Sequence, residues 1–185
     1  MQGCVAKYKA MAEAAQSELS PRTIAQDDLQ KIHVHEALVA AHGISGLTLS
    51  VYVFMAKVFV VGHVDTHEQI ESVLKTARQV AGVRSADGYL PLKDGQASDA
   101  TVGGLTSDAT MKAHIISALA VTPGVVNSRI HVEVLDGHVV LLGVVSGQEE
   151  QFKAGRAAVV EGVKDVTNWL LLPESRYMSI RRKVL

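Results

Sequence analysis

The sequence predicts an α+β protein built from two copies of one small module, each with the element order helix, strand, strand, helix, strand. The first observation is an internal repeat: a shift of 81 residues lays residues 130–143 on 49–62 and residues 112–119 on 31–38 without a gap. The second is the hydrophobic pattern of the repeat, which alternates in one strand and is continuously apolar in the next. The third is length, since 185 residues hold two units of about the smallest size that folds unaided. A repeat of this period indicates tandem domains.

Composition limits the classes of function. Hydrophobic residues make up 48% of the chain and aromatic residues only 4%, so the cores must be aliphatic. The formal net charge of −1 argues against a general nucleic-acid binder, which needs a basic excess. A single cysteine, Cys4, excludes an internal disulfide and a cysteine-based zinc site. No apolar run reaches the length of a membrane-spanning helix.

The chain is expected to open with a tether over residues 1–25, with at most a short frayed helix interrupted by Pro21. The first module then occupies residues 26–92. Its opening helix should be capped by Asp27 and Asp28 and run to about residue 41. Gly43 and Gly46 are expected to end it. The flanks of its buried side are predicted at Leu29, Ile32 and Glu36, and at Val34, Leu38 and Ala41.

Two strands follow in the first module, over residues 47–54 and 57–62. The turn between them, Met55-Ala56, is expected to be distorted or longer than two residues, because neither residue adopts a positive φ cheaply. Thr66 and Gln69 have capping-box spacing at the start of the second helix, which Gly82 should end. Residues 83–92 supply the third strand.

The second module, residues 107–172, repeats this plan after a linker over residues 93–106. Ser107 or Asp108 should cap its opening helix, and residues 173–185 form a basic tail. Other signals in the module are an Asp136-Gly137 hairpin turn, a second capping box at Ser146 and Glu149, a helix stop at Gly162 and a last strand over residues 166–172.

Each module should form a three-stranded mixed sheet with two helices on one face. The second strand is expected at the centre, because its hairpin partner is antiparallel and a helical crossover returns the third strand parallel to it. Residues 58–61 and 139–142 are apolar on both strand faces, so something must also cover the face away from the helices. That cover is either the other module or another molecule. We expect the two modules to pack together.

The pattern resembles that of BON domains. Two αββαβ units carry a V-x-V strand, a short turn, an apolar strand that ends in glycine, and a helix that ends in V-x-G-V; the resemblance covers residues 26–172. The stretch around Gln2-Gly3-Cys4, with residues 20–28, is similar to dual-BON outer-membrane lipoproteins of the DolP (YraP) type. This implies a periplasmic protein attached to the inner leaflet of the outer membrane by acyl chains on Cys4. It also implies binding of anionic phospholipid and a role in envelope integrity. Taken alone, Cys4 is equally an ordinary terminal cysteine.

Membrane contact is predicted on the opening helix of the second module, residues 108–120. Met111, Ile115, Ala118 and Leu119 suffice to pack that helix, which leaves Ile116 outside beside Lys112 and His114. The predicted phospholipid-binding residues are Thr110, Met111, Lys112, His114 and Ile116, and the expected lipids are phosphatidylglycerol and cardiolipin. Two alternatives stay open. Ile116 can be a partly buried residue at the domain interface, or the protein can be a protein-binding or chaperone-like adaptor like the soluble OsmY-type relatives, with envelope proteins as partners.

Catalysis, cofactors and metals are not expected. The sequence contains no serine nucleophile elbow, P-loop or Rossmann glycine fingerprint. Eight histidines invite a metal hypothesis. His131 and His138 could approach across the second hairpin, yet no carboxylate or cysteine cluster accompanies them. We therefore predict a non-enzymatic protein with no cofactor.

Overall fold

The computed structural model of the chain describes residues 19–42, 49–93 and 102–173. The first module contains α1 (Pro21–His42), β1 (Leu49–Phe54), β2 (Lys57–Gly62), α2 (His67–Gln79) and β3 (Ser85–Tyr89). The second contains α3 (Val102–Val121), a 3-10 turn (Asn127–Arg129), β4 (Ile130–Leu135), β5 (His138–Val144), α4 (Gln148–Ala157) and β6 (Asp165–Leu171). None of the helices in these ranges is long and apolar enough to cross a membrane. Cys4 and the basic tail beyond residue 173 lie outside the described residues.

Both modules contain the predicted mixed sheet. The strand order is β1-β2-β3 in the first and β4-β5-β6 in the second. The hairpin partners are antiparallel and pair Val53 with Val58 and Val134 with Val139. The third strand of each sheet runs parallel to the second, because a helix carries the chain back across the sheet. The central position of β2 and β5 is therefore confirmed.

Each module has its own aliphatic core between its sheet and its two helices. In the first, Val34 of α1 and Val73 of α2 pack with the strands, and in the second Ile115 of α3 and Ala154 of α4 do so. Valines at alternate positions of β2 face this core. At roughly 1.5–3 kcal/mol for each fully buried aliphatic side chain, such burial is the main stabilising term of each module.

Both opening helices begin earlier than the sequence patterns indicate. The first starts at Pro21, which lacks an N–H and is therefore suited to the first turn of a helix, where that donor has no partner. The second starts at Val102, within the segment interpreted as a linker. Asp27 and Asp108 consequently lie inside helices, and their predicted role as N-caps is wrong.

The predicted buried side of α1 is half right. Val34 and Leu38 are buried, whereas Leu29 is 57% and Ile32 is 53% exposed. The repeat explains the error. The core residues of α3 are Met111, Ile115 and Leu119, and the same shift of 81 residues carries them onto Gln30, Val34 and Leu38. Leu29 and Ile32 are thus on the outer surface of the same helix.

The Met55-Ala56 hairpin is a tight two-residue turn, contrary to the prediction of a distorted or longer one. Both residues have positive φ, 53° and 61°. The carboxylate of Asp27 supports them, because it accepts hydrogen bonds from the backbone N–H of Met55 at 2.7 Å and of Ala56 at 2.9 Å. The turn carbonyl of Ala56 in addition accepts from the N–H of Arg84 at 2.8 Å.

The second module contains the same arrangement. Asp108 accepts hydrogen bonds from the backbone N–H of Asp136 at 2.8 Å and of Gly137 at 3.0 Å. Lys164 donates its N–H to the carbonyl of Gly137 at 2.9 Å. All three groups of the first module recur within one residue of the repeat spacing. Opening helix, hairpin and third strand are therefore joined at one point in each module.

The capping boxes differ between the modules. In the first, Thr66 accepts from the N–H of Gln69 at 3.2 Å, as predicted, and the side chain of Gln69 accepts from the N–H of Asp65 at 2.7 Å. In the second, Gly147 is the N-cap, and the prediction of a box at Ser146 and Glu149 is wrong. The neighbouring Glu150 turns inward and takes the corresponding position.

Candidate functional site

The opening helix of the second module presents one buried and one outer face. Met111, Ile115 and Leu119 recur at intervals of four residues and are buried in the core. This spacing places Ile116 on the flank of the helix, where it is 43% exposed. The core residues hold α3 against the sheet without Ile116, as the sequence indicates.

The five predicted contact residues do not all reach the surface. Thr110, His114 and Ile116 are exposed, and Lys112 is half-buried. Met111 is only 8% exposed and packs in the core, so it supports the helix and is not part of its outer surface. Cys4, the predicted lipidation site, lies outside the described residues.

Lys112 does not project freely from the helix. Its Nζ lies 3.1 Å from Oε2 of Glu133 on β4 and forms a partly buried ion pair. The pair fixes the lysine over the first strand of the sheet. It also lowers the net positive charge at this flank, so His114 and neighbouring groups matter more for attraction to an anion.

A second exposed apolar group on this module was not found from the sequence. Phe152 of α4 is 64% exposed, and the guanidinium carbon of Arg156 lies 5.8 Å from the centre of its ring. Val121 and Val159 are exposed as well. The repeat contains the signal, since the residues of the first module at the positions of Phe152 and Arg156 are Glu71 and Lys75. The fold therefore does not require an aromatic side chain there.

The first module contains a groove between α1 and β1. Its volume is about 510 Å³, and it is lined by Lys31, Ile32, His35, Glu36 and residues 49–52. Nζ of Lys31 lies 5.7 Å from the centre of the Tyr52 ring, within the range of a cation–π contact. The tool-free observation from sequence that marks this groove is again the repeat, which places Lys31 at the position of Lys112.

The histidine pair considered as a metal site is not brought together. His131 is opposite Leu142 and His138 is opposite Leu135, so the two lie four residues apart along the hairpin, or about 13 Å at the rise of a strand. Within the described ranges no three side chains of His, Cys, Asp or Glu form a group that could hold a metal ion.

Comparison with known proteins identifies the modules. A sequence profile of the BON domain matches the chain twice, over residues 26–86 and 107–172. The chain belongs to the BON-domain family. Each match falls on one of the two αββαβ modules, which are therefore its first and second BON domains.

One relative and two solved structures share the BON arrangement. The chain is 32% identical to osmotically-inducible protein Y of Escherichia coli K12 over 136 residues, which span 73% of this chain and 67% of that protein. The structures are of CdsD, a structural protein of the type III secretion system of Chlamydia trachomatis. One has 14% identity, a TM-score of 0.33 and coverage of 83% of this chain and 97% of that chain. The other, of the C-terminal domain, has 12% identity, a TM-score of 0.30 and coverage of 80% and 67%. Both TM-scores are too low to carry an argument about this protein.

Proposed function

We propose that the protein is a non-enzymatic periplasmic lipoprotein that binds anionic phospholipid through the opening helix of its second BON domain. The exposed flank of α3, where Ile116 projects beside Lys112 and His114, is the observation that supports this most directly. An apolar side chain can enter the acyl boundary of a bilayer while cations beside it meet lipid phosphates. Phosphatidylglycerol and cardiolipin are the expected ligands, and support of envelope integrity is the expected role.

Phe152 extends this proposal to a second helix of the same domain. The opening helix has no aromatic side chain in its first described turns, where Thr110 stands. An exposed phenylalanine next to Arg156 provides an apolar group with a cation at its side, the combination that favours the bilayer interface. We include Phe152 and Arg156 among the groups that contact lipid.

Liposome co-sedimentation tests the site. Lys112→Glu combined with Ile116→Asp should lower binding to phosphatidylglycerol vesicles at least tenfold, because it replaces one cation and one apolar anchor with carboxylates. Wild-type binding should fall as salt rises and should be weak on phosphatidylcholine vesicles. Lys75→Glu, an exposed lysine of the first domain, is the control for net charge. Unchanged binding by a folded double variant would exclude this surface of α3.

A protein-binding adaptor is the second candidate. It is favoured by the 32% identity to osmotically-inducible protein Y and by the concave groove in the first BON domain. Acyl chains on Cys4 distinguish the two functions, because a lipid anchor belongs to the first candidate alone.

A further inference from the structure

The two BON domains place a lysine at the same position but give its charge different surroundings. Lys31 and Lys112 are 81 residues apart, and so are the residues beneath them, Tyr52 and Glu133. In the second domain the Glu133 carboxylate neutralises Lys112 at 3.1 Å. In the first domain the Tyr52 ring attracts Lys31 through its quadrupole and leaves the full positive charge in place.

This uncompensated charge lies beside the groove of about 510 Å³ between α1 and β1. The volume is in the range of ordinary ligand sites, which span about 300–1,000 Å³. Leu49 and Val51 contribute apolar wall, and Ile32 stands at its exposed rim. A ligand that fits must therefore combine an apolar group with an anion.

The outer surface of α1 is more apolar than its counterpart in the second domain. Leu29 and Ile32 are more than half exposed, whereas the repeat places Thr110 and Ala113 at the same positions. Because the second domain folds with these small residues, the fold of the first domain does not need Leu29 and Ile32 for its core. Exposed apolar side chains that the core does not need are typical of interaction surfaces.

The charges around the groove favour a peptide over a bilayer. Glu36 lines the groove and Asp28 is exposed on the same helix, and both carboxylates repel an anionic membrane surface. The groove is also concave, whereas a membrane is entered by projecting side chains. An extended peptide can place one acidic side chain on Lys31 and keep its other acidic groups away from Glu36.

We propose that the groove of the first BON domain binds an extended peptide segment in which apolar and acidic side chains alternate. An acidic side chain of the peptide pairs with Lys31. An apolar one enters the groove between Ile32 and the wall formed by Leu49 and Val51. This site is separate from the phospholipid surface proposed for the second domain and does not depend on it.

The test uses the full chain and a defined probe, an acetylated, fluorescein-labelled eight-residue peptide of alternating leucine and glutamate. Fluorescence anisotropy should show saturable binding to wild type, and Lys31→Glu or Ile32→Asp should raise the Kd at least tenfold. NMR shifts caused by the unlabelled peptide should concentrate on α1 and on residues 49–54. A peptide of alternating leucine and lysine should bind at least tenfold more weakly.

Matched lysine variants separate this proposal from the phospholipid proposal. Lys112→Glu should leave the peptide Kd within twofold of wild type, and so should Lys75→Glu, the control for net charge. Lys31→Glu should retain binding to phosphatidylglycerol vesicles. Circular dichroism establishes that each variant is folded, and Lys31→Gln replaces Lys31→Glu if the latter is not.

Three results would overturn the proposal. One is peptide binding that folded Lys31 and Ile32 variants leave unchanged. Another is a set of NMR shifts centred on the second domain. The third is loss of vesicle binding, without any peptide binding, in the Lys31 variant, which would make the groove a membrane site.

Discussion

At the scale of single residues, Glu150 shows how a buried carboxylate can be held charged. It is only 4% exposed, and burial by itself raises the pKa of a carboxyl group. Hydrogen bonds outweigh this effect: Glu150 accepts from the hydroxyl and the N–H of Ser146, each at 2.7 Å, and from the N–H of Val126 at 2.8 Å. The pKa of Glu150 therefore lies below its ordinary value of 4.5.

We predict that Glu150→Gln destabilises the second domain by about 1–3 kcal/mol at pH 7, because an amide oxygen cannot replace both carboxylate oxygens. Since the folded-state pKa is depressed, the stabilisation is complete above pH 4.5 and is lost as the pH falls through the lower folded value. The stability difference between wild type and variant should thus narrow in acid. Urea unfolding at pH 7 and near pH 3 measures it.

Glu149→Gln is the control for that prediction. Glu149 is an exposed neighbour whose Oε1 lies 2.8 Å from Nζ of Lys153. Its loss should change stability much less at pH 7, since exposed ion pairs contribute little. Equal effects of the two substitutions would contradict the role assigned to Glu150.

The choice between these adjacent glutamates could not be made from local spacing. Both stand in the first turn of α4, where either favours the helix dipole. Only the approach of Ser146 and Val126 decides which one is buried, and Val126 is 24 residues away in the chain. The repeat could have indicated the answer, because Gln69, the acceptor in the first domain, lies 81 residues before Glu150 and not before Glu149.

At the scale of elements, each hairpin depends on an aspartate of the preceding helix. The need differs between the domains, because Asp136-Gly137 suits a turn with positive φ, whereas Met55-Ala56 does not. In the first domain the Asp27 carboxylate must therefore hold a strained turn as well as satisfy its donors.

We predict that Asp27→Ala costs about 2–3 kcal/mol and that Asp108→Ala costs about 1–2 kcal/mol, because the second turn keeps its favourable residues. Replacing Met55-Ala56 by Asn-Gly should stabilise the first domain by about 1 kcal/mol. Hydrogen exchange of the strand amides in each domain measures these changes locally. A larger effect in the second domain would contradict the assignment.

Most of the element order could be predicted from hydrophobic periodicity and turn residues, because these are local properties repeated in two copies. The bounds of β2 were predicted to the residue, since Met55 and Gly62 frame a continuous apolar run. Helix starts were not, because Pro21 is compatible both with interruption and with a first turn. The tight Met55-Ala56 turn was missed because its support comes from Asp27, 28 residues earlier.

At the scale of the whole molecule, two domains of one fold have different surfaces. The buried positions of the opening helices correspond, as Val34 does with Ile115, whereas exposed positions such as Ile32 and Ala113 differ. Burial constrains a residue much more than exposure does, so the fold could be predicted from the repeat and the binding surfaces could not. The expectation that the domains pack together stays a prediction.

Attachment to the envelope can be tested on the whole chain. We predict that Cys4→Ser moves the protein from the membrane fraction to the soluble periplasmic fraction, because weak binding through α3 cannot hold it once acyl chains are absent. Fractionation with immunodetection, together with the mass of the native N-terminal peptide, measures this. Equal release of wild type and variant would favour the soluble adaptor.

The aspartate of the opening helix has a consequence for recognising further copies of this module. Where a carboxylate from elsewhere supplies the acceptors, the turn itself is released from the usual demand for asparagine or glycine, and its composition is free to drift. A search that relies on a glycine-containing turn would find the hairpin of residues 130–144 and overlook the one at residues 49–62. An acidic residue about one helix and one strand upstream of the turn, 28 positions away in both domains, is the more durable signature.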